Sequence, residues 1–122
     1  DAGTRTASIT GAWLALDQAC RSLVDQGVLE QSPLVDQVAA VSVGLVDGQA
    51  LLDLDYSEDS RAEVDLNVVQ AGDGRLLEIQ GTAEGAPFSR KQLNELLDLA
   101  EPGLSSLMQA QRQAAGEHSI NR

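Results

Sequence analysis

The sequence predicts an α+β fold, an antiparallel sheet of about four strands with long helices packed on one face, and three observations carry that prediction. Apolar residues recur at three-to-four spacing in a segment near each end of the chain. Between those segments lie four short stretches of apolar and alternating residues. Those stretches join in pairs through Asp47-Gly48 and Gly72-Asp73-Gly74, the turn chemistry of antiparallel hairpins. A length of 122 residues suits a single core, and 43% hydrophobic residues can fill it.

The first helix is expected from Thr6 to Gln26, where Ile9, Ala12/Trp13, Leu16, Ala19/Cys20 and Leu23/Val24 would form one buried face. Gly27 then stops it. After the turn at Ser32-Pro33, Val38 to Val46 is apolar almost throughout, as in a strand covered on both faces, and Ala50 to Asp55 returns as its hairpin partner. An acidic connector, Tyr56 to Ala62, leads into Glu63 to Val68, whose strict alternation marks a strand with one polar face. Leu76 to Gln80 is the fourth strand. Ser89 and Gln92 form a capping box that opens a last helix, with Leu93, Leu96/Leu97, Ala100, Leu104 and Leu107/Met108 on one side. Pro102-Gly103 is expected to kink or break it. Residues 116–122 are polar and aperiodic, so a domain over 1–115 is expected with a flexible tail after it.

Composition narrows the function. Trp13, Tyr56 and Phe88 are the only aromatics and offer no platform for stacking bases. Cys20, the only cysteine, has no partner for an internal disulfide and reads as a small buried hydrophobe in a reduced protein. No apolar run approaches the ~18 residues that a spanning helix requires, and the first residues lack signal-peptide character, so a cytoplasmic protein is expected. A formal net charge of -11, spread evenly, would repel nucleic acid. Composition alone therefore argues against an RNA-binding protein.

Two segments carry chemistry. Gly3-Thr4-Arg5-Thr6-Ala7-Ser8 stands at the start of the first helix, where free backbone N–H groups and the helix dipole can hold an anion. Gly3 permits close backbone approach, Thr4 adds a hydroxyl, and Arg5 offers a planar fork to phosphate oxygens. The plainer alternative makes Thr4 or Thr6 an N-cap and leaves Arg5 in solvent. The second segment runs from Asp53 to Asp65, where acidic and hydroxyl side chains crowd a strand end, a connector and the next strand. Such hard oxygen ligands suit Mg²⁺ or Mn²⁺; the alternative is a solvated acidic loop. A phosphate cradle and a divalent-metal cluster in one domain point to phosphoryl transfer. His118, the single histidine, lies in the tail and gives little support to Ser–His or Cys–His mechanisms.

Longer runs carry a resemblance. Ala2-Gly3-Thr4-Arg5-Thr6-Ala7-Ser8-Ile9-Thr10-Gly11-Ala12 is similar to the phosphate-binding signature of the ribonuclease PH family, and Val38 to Gly44 to the strand that follows it. Leu52 to Tyr56, Glu58 to Val69 and Glu78 to Phe88 continue the likeness in order, so that it covers nearly the whole chain to about Arg112. The resemblance implies half of a ribonuclease PH-type (ribosomal protein S5 domain 2-like) domain. It also implies a phosphorolytic 3′→5′ exoribonuclease that trims nucleotides after the 3′-terminal CCA of tRNA precursors, uses inorganic phosphate and releases nucleoside diphosphates, reversibly. Other RNA 3′ ends, ribosomal RNA included, belong to the same expectation. By position, Gly3, Thr4 and Arg5 match the family's phosphate-binding loop, and Asp59 and Asp65 its catalytic, metal-supporting aspartate pair. Which aspartate supports Mg²⁺ or Mn²⁺ and which acts as general acid stays open.

The departures also matter. The family's N-terminal half is absent, and with it a second phosphate-contacting arginine and most of the basic RNA-binding surface, which answers the objection from charge. Pro102 is unusual at its place. This piece alone is expected to be inactive, whereas the family's complete chains form homohexamers, trimers of dimers. A non-catalytic structural or RNA-guiding subunit of an exosome-like ring is the alternative, and an acidic cation- or partner-binding module the third reading. Retention of Gly3, Thr4, Arg5, Asp59 and Asp65 favours the active type.

Overall fold

The structure, a computed structural model, describes residues 2–53 and 60–116. Helix α1 (Ala2–Asp25) is followed by strands β1 (Val38–Val46), β2 (Gln49–Leu52), β3 (Val64–Ala71) and β4 (Leu76–Ala83), and then by helix α2 (Arg90–Ala115). The strands form one antiparallel sheet in the order β2-β1-β3-β4. The α+β class and the two hairpins are as the sequence predicts. No described helix is long and apolar enough to cross a membrane.

Local chemistry explains the element ends. At the end of α1, Gly27 N–H donates to Val24 O and Val28 N–H to Leu23 O, with Gly27 at φ 77. That paired closure is the Schellman motif, which a left-handed glycine makes possible. The β1–β2 turn has φ 51 at Asp47 and 78 at Gly48, both left-handed, as a type I′ turn requires. In the second hairpin, Asp73 Oδ1 accepts from Arg75 N–H at 3.0 Å. Ser89 and Gln92 complete the capping box at α2 in both directions.

Alternation divides the sheet into two faces. Ala39, Val41, Val43 and Leu45 of β1 and Val64, Leu66 and Val68 of β3 join Leu96, Ala100, Leu104 and Met108 of α2 in the main core. Complete burial of side chains such as Leu66, Leu96 and Leu104 is worth about 1.5–3 kcal/mol each. Leu93 and Leu97 pack against the same core and are partly buried.

Helix α1 meets the sheet differently. Strand β2 pairs with β1 only from Val43 to Val46, which leaves the edge of β1 open nearer its start. Thr10 Oγ1 fills that gap, accepting from Ala40 N–H at 3.0 Å and lying 3.4 Å from Ala40 O. Gln111 of α2 reaches in beside it and donates to Val38 O at 3.0 Å and Thr10 O at 3.1 Å. The helices are thus tied together along the strand edge.

Three expectations need correction. Helix α1 starts at Ala2 rather than Thr6, so Thr4 and Thr6 lie inside it and neither is its N-cap. Its buried stripe includes Thr6, Trp13, Asp17 and Cys20, whereas Leu16 and Leu23 are exposed at 51% and 38%. The helix carries more apolar residues than one face can bury, and docking on the β1 edge selects a stripe rotated from the expected one. Pro102 does not break α2, which runs unbroken from Arg90 to Ala115. Proline is exposed there, so its ring is on the solvent side, while Gly103 lets the helix approach Leu52 closely.

Candidate functional site

The Gly3-Thr4-Arg5 segment forms the first turn of α1. Serine and threonine hydroxyls knit this turn from within: Thr6 Oγ1 donates to Gly3 O at 3.1 Å, and Ser8 Oγ to Thr4 O at 2.7 Å. The first turn of a helix directs its amides outward along the axis, where they suit an anion.

Where that axis points follows from two contacts. Thr10 touches Ala40, and Trp13 Nε1 donates to Asp36 O at 2.8 Å, so α1 runs antiparallel to β1. Seven residues separate Thr10 from Gly3, a rise of about 10 Å, which spans roughly three strand residues. The N-terminal end of α1 is therefore aimed toward the Val43–Gly44 region of the strand. Gly44 is the register partner of Asp65 on β3.

Asp65 occupies the face of the sheet opposite the α2 core, because its neighbours Val64 and Leu66 point into that core. Ser42 and Asn67 are register partners on the same face. Ser42 is fully buried, and its Oγ has no hydrogen-bond partner among the described residues; the same holds for Asn67 Oδ1. Buried polar atoms without partners are unusual. A carboxylate, an amide oxygen and a hydroxyl on one face are hard donors that fit Mg²⁺ or Mn²⁺.

Arg5 reaches the same face. Its Nη2 lies 3.0 Å from Glu78 Oε1 and 2.8 Å from Oε2. Glu78 pairs with Val69 across the β3–β4 ladder, which puts it four pairs along from Asp65 and Thr82, about 13 Å away at the strand rise. Arg5 is thus held by a carboxylate rather than left in solvent. Sequence reasoning assigned Glu78 no role; its signal was the polar alternation Glu78, Gln80, Thr82.

Asp53 was also given no individual role. It follows β2 with φ 54, donates its N–H to Ser42 O at 2.9 Å, and lines a cavity of about 390 Å³ with Gly3, Thr6, Thr10 and Ala40. The acidic segment as a whole does not converge in the described residues. Glu63 Oε1 instead accepts from Gly48 N–H at the hairpin turn, and Arg61 pairs with Asp47 at 3.1 Å. No group of three or more His, Cys, Asp or Glu among the described residues is arranged to hold a metal. Asp59, Asp55, Tyr56 and His118 lie outside the described residues, so the expected pairing of Asp59 with Asp65 does too.

A four-stranded antiparallel sheet, with an apolar face under one long helix and a polar face toward which another helix aims its N-terminus, defines an α+β domain equipped to meet an anionic group. Comparison with known proteins makes this specific. The model of the 3′ exoribonuclease family, domain 2, matches residues 36–103, more than half of the chain, and the chain belongs to that family. A protein named Ribonuclease PH from Synechococcus sp. (strain CC9605) is 97% identical over 119 residues, 98% of this chain and 48% of its own length. Proteins of the same name from Parasynechococcus marenigrum (strain WH8102) and Prochlorococcus marinus (strain MIT 9313) are 73% and 69% identical over 93% of this chain, which is 46% and 47% of theirs. The chain spans about half the length of the curated relatives it matches. The crystal structure of rice (Oryza sativa) Rrp46 shares the fold, with a TM-score of 0.60 at 17% identity over 83% of this chain and 46% of that one.

Proposed function

We propose that this chain supplies the C-terminal half of a phosphate-dependent 3′→5′ exoribonuclease that trims nucleotides after the 3′-terminal CCA of tRNA precursors. The observation that carries the reading is the aim of α1: its first turn, with Gly3, Thr4 and Arg5, points along β1 toward the register pair Gly44–Asp65. The near identity to a relative named Ribonuclease PH supports the same reading.

In this mechanism the first-turn amides, the Thr4 hydroxyl and Arg5 hold inorganic phosphate. A phosphate oxygen attacks the phosphorus of the last phosphodiester, the bond from that phosphorus to the preceding 3′ oxygen breaks, and the oxygen takes up a proton. The last nucleotide leaves as its diphosphate. Reversal adds a nucleotide and releases phosphate. Asp65, with Asp59, would hold Mg²⁺ or Mn²⁺, which when bound offsets negative charge on the scissile group. Either aspartate is also a candidate to donate the proton to the departing oxygen. The cofactor is then a divalent ion, and the co-substrate is inorganic phosphate.

The partners are tRNA precursors and other RNA 3′ ends, ribosomal RNA among them. The complete protein is a cytoplasmic homohexamer, a trimer of dimers, and its other half supplies the basic surface that a chain of net charge -11 does not. Residues 1–115 form the C-terminal part of the domain, and the expected tail falls outside the described residues from 117 on.

The test joins this chain to the remaining half of the Synechococcus sp. (strain CC9605) relative and follows nucleoside diphosphate release from a 3′-extended tRNA. Release should require phosphate and Mg²⁺, and Arg5→Ala and Asp65→Asn should each lower it by about 10²-fold or more. Undiminished release in both variants would refute the assignment. An inert chimera that enters a ring with an active relative would favour a structural or RNA-guiding subunit instead.

A further inference from the structure

The five N–H groups of an arginine form two bidentate forks, one from Nε and Nη2 and one from Nη1 and Nη2, and both forks share Nη2. In this structure Nη2 is the atom that Glu78 holds, with both carboxylate oxygens within 3.0 Å. Glu78 therefore sits on the nitrogen common to both forks, so a second oxyanion that takes either fork must share Nη2 with a carboxylate of its own charge sign. Both side chains remain partly open to solvent, at 49% and 38%, so the pair is weak enough to exchange. The ladder fixes the arrangement from the strand side: Glu78 is opposite Val69, on the polar face that Asp65 and Asn67 share.

We infer that Glu78 sets the phosphate affinity of the site by competing with inorganic phosphate for the guanidinium of Arg5. This rests on the reading of the α1 N-terminus as the phosphate site. Without phosphate, Glu78 keeps Arg5 folded over the sheet. When phosphate arrives, it takes Nη2, and the carboxylate gives up its contacts. The exchange is unfavourable by whatever the ion pair was worth, and the displaced carboxylate still opposes the incoming anion. Glu78 is thus a positioning residue: it acts through Arg5 and raises the phosphate concentration at which the site fills. A helper that merely steadied Arg5 for phosphate would have the opposite effect.

The two roles differ in sign, and calorimetric titration of the chimera with inorganic phosphate separates them. Glu78→Gln keeps the shape and removes the charge. The phosphate Kd should fall by roughly 1.5- to 5-fold, the range that an exposed ion pair spans. Glu78→Asp restores the charge and should return the Kd toward that of the parent. In the RNA assay the KM for phosphate should fall with the Kd, while the KM for RNA stays unchanged. An unchanged or higher Kd in Glu78→Gln overturns the inference. If the parent binds phosphate and Glu78→Gln binds it more tightly, yet no RNA is degraded, the competition stands and the exoribonuclease reading fails.

Discussion

Substituting Gly81 by Ala tests how tightly the β3–β4 ladder holds the candidate site. Gly81 pairs with Leu66. A Cβ added there would lie 2.5 Å from Leu66 Cδ1, 3.1 Å from Asp65 O and 3.4 Å from Leu66 Cα. Carbon atoms in contact prefer about 3.5–4.0 Å, so the methyl of Leu66 would have to retreat by about 1 Å. Leu66 is 1% exposed in the centre of the main core and has little room to do so. Such overpacking costs about 1–3 kcal/mol. Removing a glycine from a strand returns roughly 0.5–1 kcal/mol, which leaves a net loss of about 1–2 kcal/mol. In urea, with a slope of about 2 kcal/mol/M, the midpoint should drop by roughly 0.5–1 M. Leu66→Ala placed alongside should cost less than the two single changes summed, because it vacates the contested volume. A midpoint for Gly81→Ala equal to or above that of the parent would refute the packing argument.

Two further predictions concern the helix edge and a turn. Gln111 is 3% exposed and bridges Thr10 O, Val38 O and Gln37 Nε2, so Gln111→Leu would strip partners from buried polar groups. It should destabilise by about 1–3 kcal/mol, read from thermal melting; a melting temperature that does not fall would contradict the bridge. At the second hairpin, the backbone N–H of Arg75 and then its guanidinium hold the exposed Asp73 carboxyl below its ordinary range. The folded value is lowered, so the contribution of this turn is present above the unfolded pKa and is lost as pH falls through the folded one. Carboxyl NMR should show Asp73 titrating below an unstructured peptide, and Arg75→Ala should narrow the gap; an ordinary titration in the intact protein would argue against the turn contacts.

Alternation and turn chemistry made the sheet legible in the sequence. Val38–Val46 was recognisable because every position is apolar or small, and Asp47-Gly48 because it tolerates two left-handed residues in succession. The strands' full reach was less visible: β4 continues through Gly81, whose weak strand propensity is overridden by pairing with Leu66. Pro102 misled because propensity rules describe an interior residue, and this one has its ring in solvent. The α1 stripe misled because periodicity gives a face but not the partner that selects it.

The site was legible only in part. Local pattern marked the α1 N-terminus and the acidic run Asp53 to Asp65, within which the family resemblance singled out Asp65, but the Arg5–Glu78 pair joins residues 73 positions apart, and no helical or strand period relates them. Only the register of β3 with β4 brings Glu78 onto the polar face. The oxygens of Ser42 and Asn67 that lack partners among the described residues were equally hidden, since serine and asparagine within strands ordinarily find partners.

The most direct test of the central claim follows the fate of labelled inorganic phosphate in the chimera acting on a 3′-extended tRNA. If the α1 N-terminus presents phosphate as the attacking group, the label appears in the β-phosphate of the released nucleoside diphosphates and increases with phosphate concentration. Release of unlabelled nucleoside monophosphates, with oxygen from water at the cleaved phosphorus, would show hydrolysis and contradict the account.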